Sequence, residues 1–295
     1  MQIFQSYPLL KEGIVAAADR DPTPEDLVAA LRKVFGQHAK TRASHAKGIF
    51  AYGHFSATPG AMSRAASPLF QASNASTIFR FSVGGGNPVA PDKAKTLRGL
   101  SVRIMLPQGN FDLLTINAPV FFARTPQQFV DFLLARAPDP TTGKPNPDAL
   151  AAFNAANPET LRQAAYLNAN PIPASYTGQK YFGVHTFKFE GKNAELWPAR
   201  WRLIPIGGEE WLDDADIAGH PDHFLAEALR HRLTVGPADW DVELQLPHPS
   251  DNLDNPSVSW PEHRPTLLVG RLTVTELVSP DAVHDLVFDP STLPP

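Results

Sequence analysis

The sequence predicts an α+β fold, an antiparallel eight-stranded β-barrel with helices inserted between its strands, formed as one domain over residues 1–295. Three observations carry that expectation. About eight strand candidates run along the chain, at 48–57, 76–83, 99–106, 111–117, 181–189, 199–206, 239–246 and 267–277. Two short loops, "PQGN" between residues 106 and 111 and "GKNA" between 190 and 195, suit hairpin connections, and hairpin-linked strands are antiparallel. No stretch of linker composition and no internal repeat divides the chain, so it reads as one domain, and about eight antiparallel strands with helices between them fit a closed barrel.

Each element has a local reason. "TPEDLVAALRKVFG" opens on Thr23 as N-cap, with Pro24 at the first helical position and acids in the first turn. Leu27, Leu31, Val34 and Phe35 then recur at helical spacing. The strand "STIFRFSVGGG" alternates, placing Ile78, Arg80 and Ser82 on one face and Phe79, Phe81 and Val83 on a core face. Arginine and serine two residues apart can line a polar site, or simply face solvent. "TPQQFVDFLLARA" repeats the helix opening, with Thr125 as cap, Gln128 completing a capping box, and Phe129, Phe132 and Leu133 as the apolar face. A helical region over 147–166 is broken at Pro158, and another covers 223–233. In "DWDVELQL", Trp240, Val242, Leu244 and Leu246 alternate as a half-buried strand does.

Composition narrows the function. Thirty prolines, about twice ordinary usage, mean many turns and extended segments. A formal net charge of −4 with no long basic run argues against a nucleic-acid partner. The absence of cysteine excludes disulfides, thiolate chemistry and thiolate metal sites. No apolar run is long enough to span a membrane as a helix. The start "MQIFQSYPLLKEG" lacks the features of a leader peptide, which points to the cytoplasm, or to the periplasm had a leader been removed. "HPDH" at 220–223 and "RHR" at 230–232 read as polar surface rather than a metal site. The glycines at 84–86 form a loop, since no lysine or helix signal follows to make a phosphate cradle.

Several segments together are specific. "RASHAKG", "FRFSVGGG" and "LRGLSVRIMLPQGNFDLLTINAPVFFARTPQQFVDF" resemble, in order and spacing, the haem pocket of the catalase family. "YFGVHTFKFEG", "SWPEHRPTLLVGRLTVTEL" and "VHDLVFDPSTLPP" resemble its later segments, so the likeness covers most of the chain. The compact length is similar to the small catalase-related peroxidase branch. The resemblance implies a catalase-like barrel, haem b as cofactor, and a distal catalytic histidine at His45, oriented by Ser82. It implies that Arg42 and Arg80 bind the haem propionates, as a guanidinium suits a carboxylate. Phe121 and Phe129 would line the distal haem face, and His185 would support the proximal side indirectly.

Two departures from the family pattern stand out. Large catalases carry paired asparagines in "NNTP", the first catalytic, where this chain has "INAP". Ungapped, Ile116 takes the catalytic position and Asn117 the second, so Asn117 is a catalytic candidate in an open register. The family's axial tyrosinate falls beyond Pro295, and none of Tyr7, Tyr52, Tyr166, Tyr176 and Tyr181 stands in its place. The expectation is a peroxidase acting on hydrogen peroxide or an organic hydroperoxide with a small organic reductant, weak as a catalase, and a homodimer. Ser44, just before the histidine, leaves room for a hydroperoxide isomerase, and the missing tyrosine for a barrel that binds a ligand without turnover.

Overall fold

The computed structural model describes residues 20–283 and 285–293. Helix α1 (Pro24–Phe35) starts as expected: the Thr23 hydroxyl accepts from the Asp26 N–H at 3.3 Å and the Asp26 carboxylate accepts from the Thr23 N–H at 2.8 Å. Strand β1 (Gly48–Ala57), the short helix α2 (Pro59–Arg64) and strands β2 (Ala75–Val83), β3 (Arg98–Leu106) and β4 (Gly109–Ile116) follow. Helices α3 (Pro126–Leu134), α4 (Pro147–Ala156) and α5 (Arg162–Ala169) come next. Then come β5 (Ile172–Pro173), β6 (Tyr181–Phe182), β7 (Phe187–Glu190), β8 (Leu196–Pro205), β9 (Trp211–Leu212), α6 (Asp214–Gly219), α7 (Phe224–Val235), β10 (Ala238–Gln245) and β11 (Thr266–Val278).

The sheet order is β10-β11-β1-β2-β3-β4-β6-β8, and β8 pairs back onto β10, so eight antiparallel strands close on themselves. The closure is narrowest at β6, which meets β4 at Ile116–Phe182 and β8 over two residues. Strand β7 extends the sheet as a hairpin on β8, and β5 pairs with β9 in a separate two-residue ribbon. The inward positions form the core: Phe55, Phe79, Phe81, Leu100, Val102, Leu203, Trp240, Val242, Leu244, Leu272 and Val274 are buried. Strand β10 alternates as its sequence suggests, up to Gln245; Leu246 falls past its end and is only partly buried.

The expected strand over 181–189 is two pieces. Residues 183–186 are not strand, although the Gly183 N–H still donates to Trp201 O on β8, and the sequence pattern carries no mark of that interruption. The capping box at Thr125 is half right. Thr125 does accept from the Gln128 N–H, but the Gln128 side chain reaches past the cap to accept from the Arg124 N–H at 2.9 Å. Its amide then donates to Asn157 and Glu159, so Gln128 ties α3 to the turn after α4.

Candidate active site

Antiparallel register aligns Gly48, Ser82, Gly99, Ile116 and Phe182 in one row across five strands. The next row holds Phe50, Arg80, Ser101 and Leu114. Side chains alternate, so both rows lie on the outer face of the barrel, opposite Phe79, Phe81, Leu100 and Leu113. A cavity of about 610 Å³ opens over them, walled by the loop at 42–45, by Phe121, by residues 182–187, and by Phe288, Pro290 and Ser291.

His45 stands on the irregular segment before β1, in the left-handed region at φ 50°. That conformation is uncommon for a residue with a side chain and marks a constrained site. The glycine run supplies the constraint. Ala46 N–H donates to Gly85 O at 3.0 Å, and a Cβ on Gly86 would fall 2.5 Å from Ala43 O. Residues 84–86 are thus a shelf beneath the histidine loop.

The Nδ1 of His45 is 2.9 Å from the Ser82 hydroxyl, which in turn lies 3.4 Å from Gly99 O. The hydroxyl has one proton. Given to the Gly99 carbonyl, it leaves Ser82 as acceptor of the Nδ1–H, and Nε2 keeps its lone pair. Burial, then the positive charge of Arg80, lower the His45 pKa to about 4, so the ring is neutral at pH 7. Gly99 is part of this site. A Cβ there would sit 2.7 Å from Ser82 Oγ and 2.9 Å from His45 Nδ1. A glycine inside a strand was the available signal, since it marks close approach of another group.

Arg80 is buried, and its guanidinium donates to His45 O at 2.7 Å. Its Nε has no partner among the described residues. Burial, then repulsion from Arg42, lower its pKa to about 10, partly offset by Tyr176. Arg42 donates to the Leu286 carbonyl, and burial lowers its pKa also. Among the described residues no carboxylate pairs with either arginine, although both line the cavity. Two guanidinium groups facing one cavity without an acid form a receptor for an anion.

The other expected residues fall into two groups. Ser44, Phe121 and His185 line the cavity, with His185 exposed. Phe129 does not; it stacks behind Phe121 with ring centroids 6.3 Å apart. Asn117 also lies off the cavity. Its Oδ1 accepts from the Arg98 N–H at 2.8 Å, while Ile116 stands in the cavity row. Tyr52, Tyr166, Tyr176 and Tyr181 do not line the cavity, and Tyr7 lies outside the described residues. Of the histidines at 220–223, His220 packs on Phe224 and His223 meets Lys47. Among the described residues no cluster of His, Asp and Glu could hold a metal ion.

Residues 27–293 match the family model described as catalase. The chain belongs to the catalase family. Within that family it is 40% identical over 275 residues to a catalase-related peroxidase of Synechococcus elongatus, covering 92% of this chain and 81% of the relative. A catalase-related peroxidase of Mycolicibacterium paratuberculosis is 34% identical over 275 residues, covering 91% and 85%. Among solved structures, a fungal catalase superposes with a TM-score of 0.77 at 23% identity, covering 100% of this chain and 61% of that one. Catalase A from Saccharomyces cerevisiae gives 0.77 at 23% identity, covering 100% and 63%. The chain therefore spans about three fifths of the length of those solved catalases, with which it shares the fold.

Proposed function

We propose that this chain is a haem-dependent peroxidase of the catalase family. It reduces hydrogen peroxide or an organic hydroperoxide at the expense of a small organic donor, with little oxygen evolution. One observation carries the reading: a neutral histidine, its tautomer set by Ser82, faces a cavity in which two arginines have no acid partner among the described residues.

The residues fit haem b. A flat apolar ring bearing two carboxylates would meet both unpaired guanidinium groups, and the orphaned Nε of buried Arg80 is a donor waiting for such an oxygen. Arg42 and Arg80 would hold the propionates, and Phe121, backed by Phe129, would pack on the ring. His185 would act on the proximal side only through neighbours. When bound, haem would supply the redox-active iron at which the peroxide is reduced.

The chain supplies the proton transfers. Nε2 of His45 takes the proton from the peroxide and returns it to the departing oxygen, which leaves as water or alcohol. Ser82 holds the ring so that Nε2, not Nδ1, faces the cavity. Ile116 offers no hydrogen bond to a second peroxide, which favours donor oxidation over dismutation.

The test is a haemin titration of this chain, and of one continued past residue 295, followed by visible absorption and stopped-flow mixing with peroxide. His45→Gln should bind haemin as the parent does and react with peroxide about 10²–10⁴-fold more slowly. Failure of both chains to take up haemin, or unchanged reactivity in His45→Gln, would sink the reading.

A further inference from the structure

The loop that carries His45 has a second anchor on the side away from the cavity. Lys47 is not among the cavity-lining residues. Its ammonium lies 2.6 Å from Asp92 Oδ1, 2.8 Å from Ala90 O, 3.3 Å from Asp222 O and 2.8 Å from His223 Nδ1. The four acceptors leave none of its three protons to water. Asp92 is fully buried, and its other oxygen accepts from the Leu225 N–H at 2.9 Å in the first turn of α7. Its main-chain N–H donates to Asp222 O at 2.8 Å, and its carbonyl accepts from Arg98. Asp92 therefore joins the histidine loop to α7 through its carboxylate, and through its carbonyl reaches Arg98 at the start of β3, immediately before Gly99 beneath the His45 ring.

A left-handed histidine persists only where its surroundings over-determine it. On one side of the loop, the main chain of Ala46 and Lys47 bonds to Gly85 and Val83, and Arg80 donates to His45 O. These contacts hold the loop to β2. Among the described residues, the Lys47 side chain is what ties it to Asp92 and the start of α7 in the opposite layer.

We propose that Lys47, clamped by Asp92 and the start of α7, is a positioning residue that keeps His45 in its left-handed conformation and its Nδ1 on Ser82. This inference rests on the acid–base role given to His45 above. It differs from a purely structural ion pair, which would support the fold without governing the ring.

The test uses ¹⁵N-histidine-labelled chain without haem, beside the haemin-loaded protein. Lys47→Met with Asp92→Asn removes both charges, while the new amide oxygen still accepts from Leu225. Lys47→Gln keeps a donor for Asp92 and gives up the other contacts; it decides by the same readouts if the double variant loses its cooperative melt. The charged groups about the ring, Arg80 and beyond it Arg42, are untouched. The expected result is a His45 ring that titrates about one unit higher than in the parent, with mixed tautomers. With it should come an approximately tenfold or greater fall in peroxide reactivity at unchanged haemin affinity. A folded variant with the parental tautomer and titration, reacting within about twofold of the parent, would overturn the proposal. His45→Gln is run alongside: if it reacts like the parent, the acid–base reading fails, while the ring's titration still decides the role of Lys47.

Discussion

At the scale of single residues, the informative feature is a histidine held neutral without a carboxylate partner. Enzymes often orient an imidazole with an acid, which also raises its basicity. Here a serine hydroxyl does the orienting at 2.9 Å, and Arg80 stands by with positive charge. The ring therefore stays neutral down to about pH 4, against an ordinary value of 6.5. The linkage follows from the sign. Between pH 6.5 and 4 the unfolded chain binds a proton that the folded chain refuses, so stability is intact above 6.5 and is lost as pH falls through that window. Because the ring borders an open cavity, the loss is about 2 kcal/mol, less than the full shift implies. Denaturant unfolding at pH 7 and pH 4.5 measures it. His45→Gln should show a smaller drop than the parent by that amount, and equal drops would contradict the burial argument.

At the scale of elements, strand parity decides what the strands present. The face carrying Arg80 and Ser82 was legible from "FRFS", because alternation is a local property. Whether it met solvent or a site was not legible, since the cavity is completed by residues from 182–187 and 288–291, far away in sequence. The helix starts were legible for the same local reason, and Gln128 departs because Asn157 and Glu159 compete for its amide. "INAP" shows both limits together. Pairing of Ile116 with Gly99 puts isoleucine in the cavity row, while Asn117 turns away and satisfies the Arg98 N–H. Two opposite outcomes follow. Ile116→Asn puts an amide beside the reacting histidine and should raise oxygen evolved per donor oxidised by about fivefold, the worth of one hydrogen bond. Asn117→Ala should leave that ratio alone and cost roughly 1–3 kcal/mol of stability, because a buried N–H loses its acceptor. An oxygen electrode beside a donor-oxidation assay reads the first, and chemical denaturation the second. A shifted ratio in Asn117→Ala would place the wrong residue in the cavity.

At the scale of the whole molecule, the barrel alone does not enclose the site; the segment after β11 closes it. That segment crosses β3 and β4 and is fastened through one carboxylate. Asp112 is fully buried; it accepts from Arg103 Nε at 2.7 Å and from the Asp289 N–H at 2.8 Å. Arg103 also donates to Val287 O at 2.7 Å, and the Asp112 N–H to Thr292 O at 3.2 Å. Arg42 adds a bond to Leu286 O from the opposite rim. The fastened stretch brings Phe288, Pro290 and Ser291 to the cavity wall. Stability and enclosure are therefore coupled through a hairpin more than 170 residues upstream of the wall it fixes. Asp112→Ala should cost about 3 kcal/mol, below the larger penalties of fully buried pairs because Arg103 still reaches water. It should also weaken haemin binding about tenfold or more, since the wall moves when its fastening goes. Parallel denaturation and haemin titration separate the two effects. Lost stability with unchanged haemin affinity would mean that 286–292 braces the barrel without forming the site. A loss of both, recovered in part by Asp112→Asn, which keeps an acceptor for Arg103, would identify this fastening as what turns an open barrel face into a pocket.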